Sequence, residues 1–195
     1  FEHPVIQVKL TRIRDKNTEH SDFRRLLNEI AGLMFFQLSR EFRTFEVPVK
    51  TPIEEAFGQQ ISYDITLVPI LRAGIGMVDG ILVMYPEARI GHVGLYRDEE
   101  TKKPVPYYCK LPKEISNGPV LLIDPMLATG GSAAYAADLL INTHAPFTAE
   151  NSHYQCYYHY PHHGCCCCYY YYHTARCYHQ IQHYYLQHLV VDNNI

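Results

Sequence analysis

Apolar and polar positions along the chain divide it into readable elements. Val5–Leu10 is a short apolar run, and Ser21 can cap a helix carried by Phe23, Leu26, Leu27, Ile30, Leu33, Met34 and Leu38 at helical spacing. Thr51–Pro52 sets a cap residue before a proline, which predicts a short helix through Phe57. Ile65–Leu71 is mostly apolar and rich in strand formers, as a strand covered on both faces would be. Gly76–Tyr85 then reads as a helix, Ala88–Tyr96 as a second strand, Val120–Asp124 as a third, and Ser132–Ile141 as an amphipathic helix. This alternation predicts an α/β fold, a parallel sheet flanked by helices. Arg97–Pro112, RDEETKKPVPYYCKLP, is charged, then proline-punctuated, then aromatic. It is either a solvated surface hairpin or a flap hairpin over a site at the sheet's edge, where a lid excludes water.

Composition changes the picture near residue 145. Residues 1–143 mix charged, apolar and turn residues as a globular domain does, whereas Arg176 is the one charged residue between Asn151 and Val191. Two regions are therefore expected: a core over 1–143 and an anomalous C-terminal segment over 144–195. The 195 residues suit one hydrophobic core. A net charge of -3 lacks the basic excess of a general nucleic-acid binder. Apolar runs fall short of the ~18 residues that span a bilayer, and no secretory signal opens the sequence. A soluble cytoplasmic protein without nucleic-acid or membrane partners is the expectation. Cys109 stands apart, while the other six cysteines lie between Cys156 and Cys177, four of them consecutive. Adjacent thiols suit neither a disulfide framework nor a zinc site with ordered spacing.

The strongest chemical signal is VLLIDPMLATGGS, Val120 to Ser132. An apolar strand delivers Asp124 to its carboxyl end, where open α/β sheets bind ligands. Thr129-Gly130-Gly131-Ser132 then opens a helix. Glycines let the backbone approach a phosphate, and the amides at a helix start carry partial positive charge. Asp124 would repel a naked phosphate but can accept two hydroxyl hydrogens from a sugar diol. An isolated TGGS is equally a tight turn with a capping serine; the acid at the strand end tips the reading towards a ligand. Val68–Met77, VPILRAGIGM, repeats the arrangement, with Arg72 in the turn. A guanidinium fork suits diphosphate, although Arg72 alone could simply pair with a surface carboxylate. Arg97 adds a cation at the end of GHVGLYR, or is a charged residue of an exposed hairpin. Two phosphate-ready turns, a diol-ready acid and two arginines describe phosphoribosyl diphosphate (PRPP).

DPMLATGGS resembles the PRPP-binding motif of the uracil phosphoribosyltransferases, whose loop opens Asp-Pro where most relatives carry two adjacent acids. HPVIQVKLTRIRDKNT, VPILRAGIGMVDG and ARIGHVGLYRDEET are similar to the same family, and the resemblance covers about residues 1–143. It implies a type I phosphoribosyltransferase-like fold and the reaction of uracil with PRPP to give UMP and diphosphate. By motif position, Asp124, Pro125, Met126, Leu127, Ala128, Thr129, Gly130, Gly131 and Ser132 would bind the ribose 5-phosphate part. Arg72 and Arg97 would bind the diphosphate, and Ala73 and Gly74 would form its loop. Arg72, Arg97 and Asp124 would carry the catalysis. Magnesium would arrive with the PRPP, and a homodimer or higher homo-oligomer is implied.

The family reads uracil through a segment resembling GYIVPGLGDAGDR, which has no counterpart in residues 145–195. No uracil-binding residue is assigned. The C-terminal segment is open to three readings: a metal-binding appendage, a strongly diverged base-binding hood, or a stretch that is not natural coding sequence. Tyr169–Tyr172 could stack on a base or form an aggregation-prone strand. A non-catalytic PRPP- or nucleotide-binding regulator on the same core is the alternative function.

Overall fold

A computed structural model describes residues 3–101, 103–126 and 130–143, with the backbone of 155–157 and 168–172. The N-terminal apolar run belongs to a helix, α1 (Pro4–Arg14), with proline in its first turn and Ile6, Leu10 and Ile13 buried along one side. Helix α2 (His20–Leu38) buries Leu26, Leu27, Ile30, Met34, Phe35 and Leu38, the stripe its spacing predicts. Ser21 does not cap it: the helix starts one residue earlier, after Glu19.

The expected helix at Thr51 is absent. Strands β1 (Thr44–Lys50) and β2 (Glu55–Ile61) instead form an antiparallel hairpin, with Val47 level with Gly58. The Thr51 hydroxyl explains the outcome. It accepts the amides of Ile53 and Glu54 at 3.3 and 3.0 Å and donates to the Glu54 carbonyl at 2.6 Å. A short polar side chain that satisfies its own turn competes with a helix start.

The remaining strands form a mixed sheet. β3 (Thr66–Leu71) lies between β5 (His92–Arg97) and β7 (Val120–Asp124), and all three run parallel. β6 (Pro104–Lys110) pairs antiparallel with β5 at one edge. On the other side β9 (Cys168–Tyr172) pairs antiparallel with β7, and β8 (Gln155–Tyr157) with β9. The Tyr169–Tyr172 run is thus part of a strand, contributed to the core sheet from beyond residue 144. The predicted strand Ala88–Tyr96 is two pieces: β4 (Arg89–Ile90) beside the start of β3, then β5 after Gly91. Both pieces run parallel to β3, and at the break a side-chain carbon on Gly91 would crowd the Leu111 and Pro112 side chains.

Alternation along the strands sorts residues into two cores. Leu67, Leu121 and Ile123 face α1, α2 and α3 (Ile75–Met84). Val68, Ile70, Val93, Leu95, Val120 and Leu122 face α4 (Gly131–Thr143), through Ala133, Ala136 and Leu140. β3 and β7 are buried on both faces, which is why they read as continuous apolar runs. The fold is the α/β sheet flanked by helices that the sequence predicts, with a hairpin at β5–β6. Among the described residues, no helix is long and apolar enough to cross a membrane.

Candidate functional site

The order β5-β3-β7 brings three carboxyl ends together: Arg97 closes β5, Arg72 follows β3, and Asp124 closes β7. Registers fix their level. Pro69 of β3 is opposite Ile123 of β7, and Leu71 is opposite Gly94 of β5. Asp124 and Arg97 continue the alternation of Leu122 and Leu95, so both fall on the α4 side of the sheet.

The first turn runs from β3 into α3. Arg72 and Ala73 are exposed, Gly74 is buried, and the Leu71–Arg72 peptide bond is cis. The Gly74 amide donates to the Ile70 carbonyl at 2.9 Å, and its own carbonyl accepts the Met77 amide at 3.1 Å. Gly74 also lies against β7: a side-chain carbon there would press into the Ile123 carbonyl oxygen. The turn holding Arg72 and the strand ending in Asp124 are therefore in backbone contact.

The second turn leaves β7. The Asp124 carboxylate accepts the Met126 amide at 3.2 Å. Burial pushes its carboxyl up to about 6, against the opposing pull of that amide and of the Arg97 charge. The Arg97 effect places the end of β5 within electrostatic reach of the end of β7. Pro125 is half-buried and Met126 is exposed. Leu127, Ala128 and Thr129 lie outside the described residues. Gly130 has φ of 74°, a left-handed conformation that favours glycine, and its carbonyl accepts the Ala134 amide at 2.8 Å as α4 begins. Gly131 and Ser132 are half-exposed in the first turn of that helix.

Arg97 also roots the hairpin. It pairs with Pro104, and the ladder continues through Asp98, whose amide donates to the Lys103 carbonyl at 3.0 Å. Asp98 then ties the tip: its carboxylate accepts the Thr101 amide at 2.7 Å and the Thr101 hydroxyl at 2.8 Å, which holds the acid below its ordinary range. A bulge between Gly94 and Leu95 faces Pro106–Tyr108. Through it the Tyr107 ring covers Gly94 and tilts against Tyr96 at 6.4 Å. Sequence reasoning missed this aromatic pair and the Gly74–Ile123 contact. The glycine after Arg72 was a visible signal, but its partner 49 positions along the chain was not.

Among the described residues, no group of three or more His, Cys, Asp or Glu could hold a metal ion.

Comparisons with known proteins agree with this fold. The family model for uracil phosphoribosyltransferase matches residues 1–149. The uracil phosphoribosyltransferase of Clostridioides difficile is 52% identical over 139 residues, which is 71% of this chain and 66% of that protein. Its counterpart in Halalkalibacterium halodurans is 55% identical over 141 residues, 72% of this chain and 68% of that protein. The chain thus spans about two thirds of the length of these relatives. The solved structure of the AQ2163 protein from Aquifex aeolicus superposes with a TM-score of 0.68 at 31% identity, over 73% of this chain and 68% of that one. With the family match covering three quarters of the residues and the fold agreeing, the chain belongs to the uracil phosphoribosyltransferase family.

Proposed function

We propose that the chain transfers the phosphoribosyl group of PRPP to uracil, releasing UMP and diphosphate. One observation carries the reading: two cationic strand ends and one acidic strand end meet at the rim of adjacent parallel strands, with the Arg72 turn in backbone contact with the strand that delivers Asp124. Arg72 and Arg97 would hold the diphosphate, with Ala73 and Gly74 shaping that turn. Asp124 would accept the ribose hydroxyls, and Pro125 through Ser132 would surround the 5-phosphate. In the reaction the C1–O bond to diphosphate breaks, uracil N1 bonds to the opposite face of C1, and the N1 proton is lost. Ribose gains oxocarbenium character while negative charge grows on the leaving group. The two guanidinium groups stabilise that growing charge. The β5–β6 hairpin would close over the site and keep water from the cation. Magnesium bound with PRPP would neutralise part of the diphosphate charge. The cytoplasm is the compartment this chemistry suits.

The family resemblance also supports self-association. Phe45, Val49, Ile53 and Phe57 are exposed on the β1–β2 hairpin and its turn, a surface that a second copy would cover. Sedimentation would show a dimer or larger species.

A second reading has its own support: residues 145–195 lack the family's base-reading segment. A protein that grips PRPP without transferring it would then be a binding or regulatory protein. Uracil-dependent release of diphosphate from PRPP separates the two. Release with UMP formation is expected; PRPP binding without release would establish the alternative. Competition among uracil, adenine and hypoxanthine then reports the base accepted.

A further inference from the structure

Gly74 has no conformational reason to be glycine. Its φ of -63° and ψ of -23° are right-handed helical values open to every L-residue. Its N–H and C=O are both committed inside the turn, to Ile70 and from Met77, so its amide is not offered to a ligand. What it lacks is room. A Cβ would press into the Ile123 carbonyl oxygen and sit 2.8 Å from the Ile70 nitrogen and 3.0 Å from the Ile70 oxygen. All three neighbours are backbone, and none can swing aside as a side-chain tip can. Neighbouring Gly76 differs: a Cβ there meets only the Leu27 Cδ2 methyl, at 3.3 Å.

Ile123 is the residue before Asp124, and Gly74 is two residues after Arg72. The close approach therefore ties one subsite to the other. We propose that Gly74 is a positioning residue that sets the spacing between the Arg72 turn and the Asp124 turn by resting its bare Cα on the Ile123 carbonyl. This rests on the reading of the cleft as a PRPP site. A rigid donor that must reach both turns at once depends on their separation, whereas a fragment held by one turn does not. Linked binding of this kind is lost when geometry forbids simultaneous engagement, even though each half-site survives.

The test compares Gly74→Ala with the parent chain and with Gly76→Ala, by calorimetry in the presence of magnesium, using PRPP, ribose 5-phosphate and inorganic diphosphate as separate ligands. Gly74→Ala should weaken PRPP about tenfold to a hundredfold, the scale of a misplacement of about 1 Å. Ribose 5-phosphate, held by the other turn, should stay within about twofold of the parent, and Gly76→Ala should keep all three affinities. Equal weakening of all three ligands, or no weakening of PRPP, overturns the spacing role. If Gly74→Ala does not fold, the Ile123 carbonyl carbon resonance of the parent gives the second reading. Diphosphate alone should shift it, and an unmoved signal overturns the role. A parent chain that binds neither PRPP nor its fragments overturns the site itself, a result visible before any variant is made.

Discussion

Asp124 serves two opposed demands. In its proposed role as a ligand for a sugar diol it would be ionised, yet burial at the end of β7 favours its neutral form and raises its carboxyl to about 6. The sign of the stability effect follows. The folded state holds this proton more tightly than the unfolded chain, whose value is near 3.8. The contribution is therefore present below about pH 3.8 and is lost as pH rises through about 6. Asp124→Asn should raise the melting temperature relative to the parent at pH 8, with the gain shrinking towards pH 4 in thermal unfolding scans. The same variant should bind PRPP more weakly at pH 8, since an amide accepts hydroxyls less well than a carboxylate. Arg72 is different, being exposed. Its truncation should leave stability within about 0.5 kcal/mol, while turnover falls about a hundredfold or more through lost charge stabilisation. Steady-state rates with uracil and PRPP, beside a denaturant titration, would show whether the two effects separate. These positions stood out in the sequence because two apolar strands each end in a charged residue and a glycine-bearing turn. Their mutual placement did not, since it depends on strand order.

At the scale of elements, α2 and α3 approach through glycine. A side-chain carbon on Gly80 would press into the Asn28 carbonyl, and one on Gly32 would lie 2.8 Å from the Gly80 oxygen. The Asn28 amide reaches the Gly76 carbonyl at 3.4 Å, near the start of α3. Gly80→Ala would gain helix propensity of about 1 kcal/mol, but here it should be net destabilising by about 1–3 kcal/mol, because two backbones must separate. Gly76→Ala, facing only a methyl tip, should be close to neutral. Urea midpoints of the two variants would check the contrast. Exposed apolar residues kept the β1–β2 hairpin hidden from a reading that favoured caps. Phe45, Val47 and Val49 alternate with Thr44, Glu46, Pro48 and Lys50, a strand signal of period two. The Thr51–Pro52 pair outweighed it as a helix start. The hydroxyl of Thr51 decides the matter only once Glu54 has folded back onto it.

Across the whole molecule, β7 belongs to both cores. Leu121 packs towards α1–α3 and Leu122 towards α4, and both are essentially fully buried. Leu121→Ala and Leu122→Ala should each cost about 2–5 kcal/mol. Each should shift one shared unfolding transition, followed by far-ultraviolet circular dichroism, because neither core can melt without the strand they share. Two separate transitions would show that the faces are independent. The sequence by itself determined the elements with strong periodicity: the long α2 stripe, the doubly buried β3 and β7, and the glycine-led start of α4. It also marked the two glycine-bearing turns that follow β3 and β7, since local spacing and residue type suffice for both. Only the tertiary structure decided that β5, β3 and β7 stand side by side, that one apolar run breaks at Gly91 into two short strands on β3, and that Gly74 rests on Ile123. These are contacts between positions far apart in the chain, and they are set by how whole elements pack rather than by any local pattern.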